Sequence, residues 1–188
     1  MSIAFVRHGE TDWNAAGRLQ GSRDIALNAN GIAQAERLGE LLADRVEAGF
    51  DHWRGVVTSP LVRAASTAAL LVRTLGIPLL GTYAGLVERD YGPFEGQDVT
   101  AIRPFPDRDY PGAERIADLR ARGTATLLEI DAEHGLDGLL VVSHGTLLRD
   151  SLMAWGTEAL DHLGNAQAVF VERTQHGFAP TDVRVPND

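Results

Sequence analysis

The chain has 188 residues and a net charge of −9, with 44% hydrophobic and 23% charged residues, enough for one domain with a full core. It has no cysteine, and all 17 basic residues are arginine. This excludes disulfides, thiolate metal sites, cysteine nucleophiles, a P-loop lysine and a Schiff-base lysine.

The acidic balance argues against a nucleic-acid partner and requires any anion site to be a local basic pocket. No apolar run approaches the roughly 18 residues of a membrane span. The expected location is the cytoplasm, with no membrane partner. Oligomeric state is not readable from the chain, and a homodimer stays open.

Residues 2–6 predict a buried strand that stops at Arg7-His8-Gly9-Glu10-Thr11. Residues 9–28 are glycine-rich and polar, and predict a long functional loop. A helix follows from about Asn28, with Ile32, Ala35, Leu38, Leu42 and Val46 as its apolar face and Gly49 closing it. Val56-Val57-Thr58 predicts a short strand. Ser59-Pro60 predicts a helix start with serine as cap, and Leu61, Ala65, Ala68, Val72 and Leu75 as the buried stripe. Arg63 lies off that stripe in the first turn, where a cation is unfavourable without an anion nearby.

Pro78 to Leu80 predicts a short strand, and Leu86 to Gly96 a polar loop. Residues 97–113, with three prolines, predict an irregular lid. A helix is expected from about Glu114 to Glu133, with Gly123 interrupting its period. Leu139 to Ser143 repeats the opening pattern, an apolar strand running into His144-Gly145. Thr146 to Trp155 predicts a short helix, and Ala166 to Glu172 and Ala179 to Val185 predict strands at the sheet edge. Two parallel strands ending in histidine would open on one side, where α/β sheets carry their ligand crevice. The remaining histidines, His52, His134, His162 and His176, lack metal-ligand spacing and read as surface residues.

A neutral imidazole can attack phosphorus when arginines neutralise the equatorial oxygens and a carboxylic acid protonates the leaving group. Arg7-His8-Gly9-Glu10-Thr11 with Trp13-Asn14 resembles the signature of the histidine phosphatase superfamily, also called phosphoglycerate mutase-like. Leu19-Gln20-Gly21, Ser59-Pro60-Leu61 with Arg63, Glu88 with Gly92 and Glu95-Gly96, and Ser143-His144-Gly145 resemble its further motifs, in order. Glu88 to Gly96 is most similar to the small bacterial phosphatase branch; that branch often has Gly-Glu-Ser after the lid, where this chain has Gly112-Ala113-Glu114-Arg115.

The resemblance implies a three-layer α/β/α sandwich with a mostly parallel central sheet, one domain over residues 1–188, no metal and no cofactor. It implies His8 as the phosphorylated nucleophile and Glu88 as acid and then base. Arg7, Arg63 and His144 would bind the phosphoryl group, helped by Asn14 and the backbone near Gly145 and Thr146. Thr11, Gln20, Gly21 and Tyr91 are expected on the substrate side. Glu10, Asp90 and Glu95 compete with Glu88 on chemistry alone. Arg103, Arg108 and Arg115 either hold a second anionic group of the substrate or form a solvated lid. The expected function is metal-independent hydrolysis of a small phosphorylated metabolite. The alternatives are a phosphoglycerate mutase and a non-catalytic phospho-ligand binder.

Overall fold

The computed structural model describes residues 3–155, 163–174 and 177–184. Strands β1 (Ile3–Arg7), β2 (Gly55–Thr58), β3 (Leu79–Thr82), β4 (Leu139–Ser143), β5 (Ala168–Thr174) and β6 (Gly177–Arg184) form one sheet in the order β3-β2-β4-β1-β5-β6. The first four are mutually parallel; β5 and β6 are antiparallel additions.

The helices are α1 (Asp12–Ala15), α2 (Ala29–Glu47), α3 (Val62–Leu75), α4 (Ile116–His134) and α5 (Gly145–Ala154). Side-chain alternation sorts the central strands into two cores. Ala4, Val6, Val56, Leu140 and Val142 meet Leu38 and Leu42 of α2 and Ala64, Ala68 and Leu71 of α3. Phe5, Val57, Leu139 and Val141 meet Leu119, Leu127 and Ile130 of α4 and Leu147, Leu148 and Leu152 of α5. The result is the expected three-layer sandwich.

The neighbours β1 and β4 send their chains to opposite faces, toward α2 and into α5 respectively. Their carboxyl ends therefore flank a topological switch point, where an open sheet leaves a crevice. Arg7 pairs with Ser143 in register, so the next residues, His8 and His144, are neighbours across it.

Several predicted elements differ in detail. The loop at 9–28 contains α1, nucleated by a capping box between Thr11 and Asn14. On α2, Ile32 and Val46 are 43% and 38% exposed, because the core is reached by Ala35, Leu38 and Leu42 alone with two close-packed glycines. On α3 the buried face is Arg63, Ala64, Thr67, Ala68 and Leu71, rotated from the predicted stripe and including the arginine. Ser59 is not its cap: the helix starts later, at Val62, whose amide donates to Asp24 Oδ1 at 2.7 Å. On α4, Leu128 is 57% exposed and Gly123 does not interrupt the helix. β5 lies inside the sheet, with β6 as the edge. His52 is exposed and His134 half-buried, while Val185, His162 and His176 lie outside the described residues. Among the described residues, no helix is long and apolar enough to cross a membrane.

The segment at 97–113 is packed as well as charged. Leu19, Tyr91 and Tyr110 bury themselves against Phe94, Ile102 and Phe105. Fully buried Arg89 clamps this small core. Its Nε donates to Glu114 O and its Nη2 to Arg108 O, both at 2.8 Å, with the guanidinium 4.3 Å from the Tyr110 ring centre.

The α2 start is pressed against the His8 turn, since a Cβ on Gly31 would overlap the Glu10 carbonyl oxygen and one on Gly9 the Gly31 carbonyl oxygen. Alanine normally favours a helix over glycine by about 1 kcal/mol. Here Gly31→Ala should instead lower stability by about 2 kcal/mol, because backbone must move to admit the methyl. Urea denaturation of the two proteins checks this; equal or higher stability of the variant would mean the contact is not tight.

Candidate active site

The site is assembled around Arg63, a fully buried cation on the inner face of α3. Its Nη1 and Nη2 donate to the carbonyls of Arg23 and Gly21, each at 2.8 Å, which ties the 9–28 loop to α3. Its Nε lies 3.2 Å from His8 Nε2 and 3.3 Å from His144 Nδ1. The partners that explain the cation are thus backbone carbonyls and imidazole nitrogens, with Glu88, Asp24 and Glu95 contributing at longer range. Burial lowers its pKa to about 10, so it stays charged at neutral pH.

These contacts fix both imidazoles. His8 Nδ1 lies 2.7 Å from Gly9 O, which can only accept, so Nδ1 carries the proton and Nε2 presents a lone pair. His144 Nδ1 accepts from Arg63, so its Nε2 carries the proton and donates to Ser59 Oγ at 2.8 Å. The rings meet edge-on, centroids 5.2 Å apart. Burial first, then the neighbouring arginines, holds both pKa values well below 6.5. His144 therefore rests neutral, with its one ring proton committed to Ser59.

Glu88 lines the same cavity as His8. Its Oε1 accepts from the amides of Arg89 and Leu147, both at 2.9 Å, and its Oε2 from the amide of Thr146 at 3.0 Å. A carboxylate offers about four acceptor positions. The one left, on Oε2, is available for a proton. Of the first α5 amides, only that of Gly145 has no acceptor among the described residues. The backbone role expected of Gly145 and Thr146 is thus divided: the Gly145 amide is open, while Thr146 serves Glu88. The chain before Glu88 is fixed by Arg122, whose Nη1 donates to Gly85 O and Val87 O, each at 2.8 Å.

A cavity of about 340 Å³ opens over His8, lined by Arg7, Asn14, Gln20, Glu88, Tyr91, Gly145 and Thr146 among others. Arg7 is held by Nη1 donating to Leu163 O at 2.7 Å. Asn14 Oδ1 accepts from Thr11 and Asn165. Gln20 Oε1 accepts from Thr11 Oγ1 at 2.8 Å, and its buried Nε2 has no acceptor. Tyr91, its phenol pKa pushed up by burial, hydrogen-bonds Thr146 Oγ1 at 2.7 Å.

Thr11, Gly21, Arg63 and His144, all expected at the substrate, do not line the cavity; they stand behind its wall, Thr11 on Gln20, Gly21 under Arg63, and Arg63 between the two imidazoles. The competing carboxylates have other duties. Glu10 accepts from Asn28, Asp90 from the Gly92 amide, and Glu95 from the amides of Ser22 and Arg23. Among the described residues, no group of three or more His, Asp or Glu side chains forms a metal-ligand set. Asn165, Ser59 and Arg122 escaped sequence reasoning because their partners lie far away in the chain and follow no periodicity.

A model of the histidine phosphatase superfamily (branch 1) matches residues 3–184. The chain belongs to this superfamily. Within it, the chain is 36% identical over 148 residues to the uncharacterized phosphatase PhoE of Bacillus subtilis, covering 78% of this chain and 73% of that one. It is 34% identical over 182 residues to a 2,3-bisphosphoglycerate-dependent phosphoglycerate mutase of Methylobacterium radiotolerans, covering 88% and 81%. The solved structure of Bacillus stearothermophilus YhfR superposes with a TM-score of 0.78 at 26% identity, over 98% of this chain and 95% of that one.

Buried neutral histidines make a superfamily member acid-sensitive in a calculable way. Unfolded imidazoles protonate near 6.5, while the native His8 and His144 stay neutral well below it. In that window the unfolded state binds more protons, so stability is full above 6.5 and falls with pH, by at most about 1.4 kcal/mol per pH unit per histidine. Urea melts between about pH 7 and pH 5 should show this slope, with His144→Gln reducing it by about one proton. An unchanged slope in the variant would mean His144 is protonated in the native protein.

Proposed function

We propose that the chain is a metal-independent phosphomonoester hydrolase acting on a small phosphorylated metabolite through a phosphohistidine at His8. The observation that carries this is the His8 ring itself. Its Nε2 lone pair sits 3.2 Å from a buried guanidinium N–H, and its Nδ1–H is anchored on the Gly9 carbonyl.

His8 Nε2 attacks phosphorus, the P–N bond forms and the ester P–O bond breaks. The charge left on the ring is stabilised by Nδ1–H donating to Gly9 O. Arg7, Asn14, Gln20 and the Gly145 amide receive the equatorial oxygens, and Arg63 adds its charge from behind the His8 ring, so the charge is neutralised by this chain's own groups. His144 stays neutral through the cycle, its Nδ1 accepting from Arg63 and its Nε2 donating to Ser59, and so holds that guanidinium in place. Glu88 gives its proton to the leaving alkoxide, and its carboxylate then takes one from the attacking water. The P–N bond breaks, inorganic phosphate leaves and His8 is restored.

The segment at 97–113 is short, and a short cover over the site favours hydrolysis of a phosphohistidine over its transfer. The mutase relative keeps phosphoglycerate mutase activity as the second assay.

The test is turnover of p-nitrophenyl phosphate at mildly acidic pH with a chelator present. Turnover should survive the chelator and fall by about 10³-fold or more in His8→Ala. Equal activity in both proteins would remove His8 as nucleophile, and loss with the chelator would remove metal independence. Glu88→Gln should cost an alkyl phosphate about 10²–10⁴-fold but p-nitrophenyl phosphate much less, since nitrophenolate leaves without a proton. Equal losses on both would assign Glu88 to binding.

A further inference from the structure

The cavity carries arginines beyond the one that stands next to His8. Among the described residues, three arginines line it, Arg7, Arg18 and Arg149, with one acid, Glu88, in a chain whose net charge is −9. Arg7 stands at the end of β1 beside His8. The other two lie apart from the histidine pair.

Arg149 lies on α5 four residues after Gly145, hence on the same face and about 6 Å further along the axis. Its Nη2 is 3.2 Å from Oδ2 of fully buried Asp150. That carboxylate also takes a bidentate pair from Arg108, at 2.9 and 2.7 Å, and two bonds from Arg120, at 3.2 and 3.0 Å. One negative charge is shared by three guanidiniums, so Arg149 is oriented by Asp150 without being neutralised. Arg18, after α1, is exposed and makes no ion pair among the described residues. Its backbone is fixed by its amide donating to Trp13 O at 2.8 Å and by a bridge to Asp98. The lid arginines do not supply this charge: Arg108 is committed to Asp150, and Arg103 and Arg115 are exposed and do not line the cavity.

We propose that the substrate carries a second anionic group, a carboxylate or a further phosphate, which Arg149 and Arg18 receive at the mouth of the cavity, an inference that rests on the phosphatase reading above. The planar guanidinium fork fits either group bidentately. Catalysis needs neither residue for the bond broken at phosphorus. They select which monoester is presented to His8.

The experiment compares matched pairs on the full chain. 3-Phosphoglycerate against glycerol 1-phosphate exchanges a carboxylate for a hydroxymethyl group, and fructose 1,6-bisphosphate against fructose 6-phosphate adds a phosphate. The native protein should prefer the anionic member of one pair by about tenfold or more in kcat/KM. The responding pair identifies the group. Arg149→Gln with Arg18→Gln should bring that ratio to within about twofold, and Arg149→Lys should keep part of it. Asp150 retains two arginines in these variants, so no buried charge is stranded. Equal kcat/KM within both native pairs, or a ratio that survives the double variant, overturns the proposal. Failure of the native protein to turn over p-nitrophenyl phosphate would instead overturn the phosphatase reading. The same pairs then serve as calorimetric ligands: tighter binding of the anionic member, lost in the double variant, supports the subsite, and equal binding removes it.

Discussion

The structure depends on a buried guanidinium, that of Arg63. Removing such a charge from water costs several kcal/mol unless every donor finds a partner. Here the partners are two loop carbonyls and two imidazole nitrogens. Satisfying the cation therefore closes the 9–28 loop, fixes both ring tautomers and leaves a neutral imidazole beside a permanent positive charge. Asp24 adds to the closure, because the same loop that receives Arg63 also caps the start of its helix. The site is preorganised by what the fold must do to keep this charge buried.

Glu88 answers to a comparable constraint on the other wall. It caps the amides at the start of α5, a helix that begins one residue after His144. A carboxylate there interacts favourably with the helix dipole, and its position is tied to that of the second histidine. The chain leading to it is held by Arg122 and by Ser143 Oγ donating to Leu86 O at 2.7 Å. Glu88 and His8 are thus mounted on elements that share the β1–β4 crevice, and both line one cavity.

An acidic protein has built a basic cavity by concentrating arginine at a few buried points. Arg89 stiffens the 97–113 segment through two carbonyls and two aromatic rings, and Asp150 gathers three more guanidiniums between that segment, α4 and α5. The absence of lysine suits this arrangement. A guanidinium spreads its donors over several acceptors in one plane and is less strongly hydrated, so it tolerates burial better than an ammonium group.

Much of this was legible before folding. The apolar runs ending at His8 and His144 and the strand and helix periods pointed to the element order and the paired histidines, and the motifs in order, through the family they resemble, implied the sandwich and the roles of Arg7, Arg63 and Glu88. Those features are local, because period and strand-end chemistry are written within a few residues. The sequence did not yield which side of α3 faces inward, since a buried arginine breaks the hydrophobic pattern that phase assignment relies on. Nor could it assign Asp24 as the α3 cap, Thr11 and Gly21 to a supporting role, Asn165 to the wall, or Arg18 and Arg149 rather than the lid arginines to the cavity. Each of these is decided by contacts between segments tens of residues apart. Only the parallel pairing of β1 with β4, and the packing of the loops over it, determines which polar groups are left to meet a ligand.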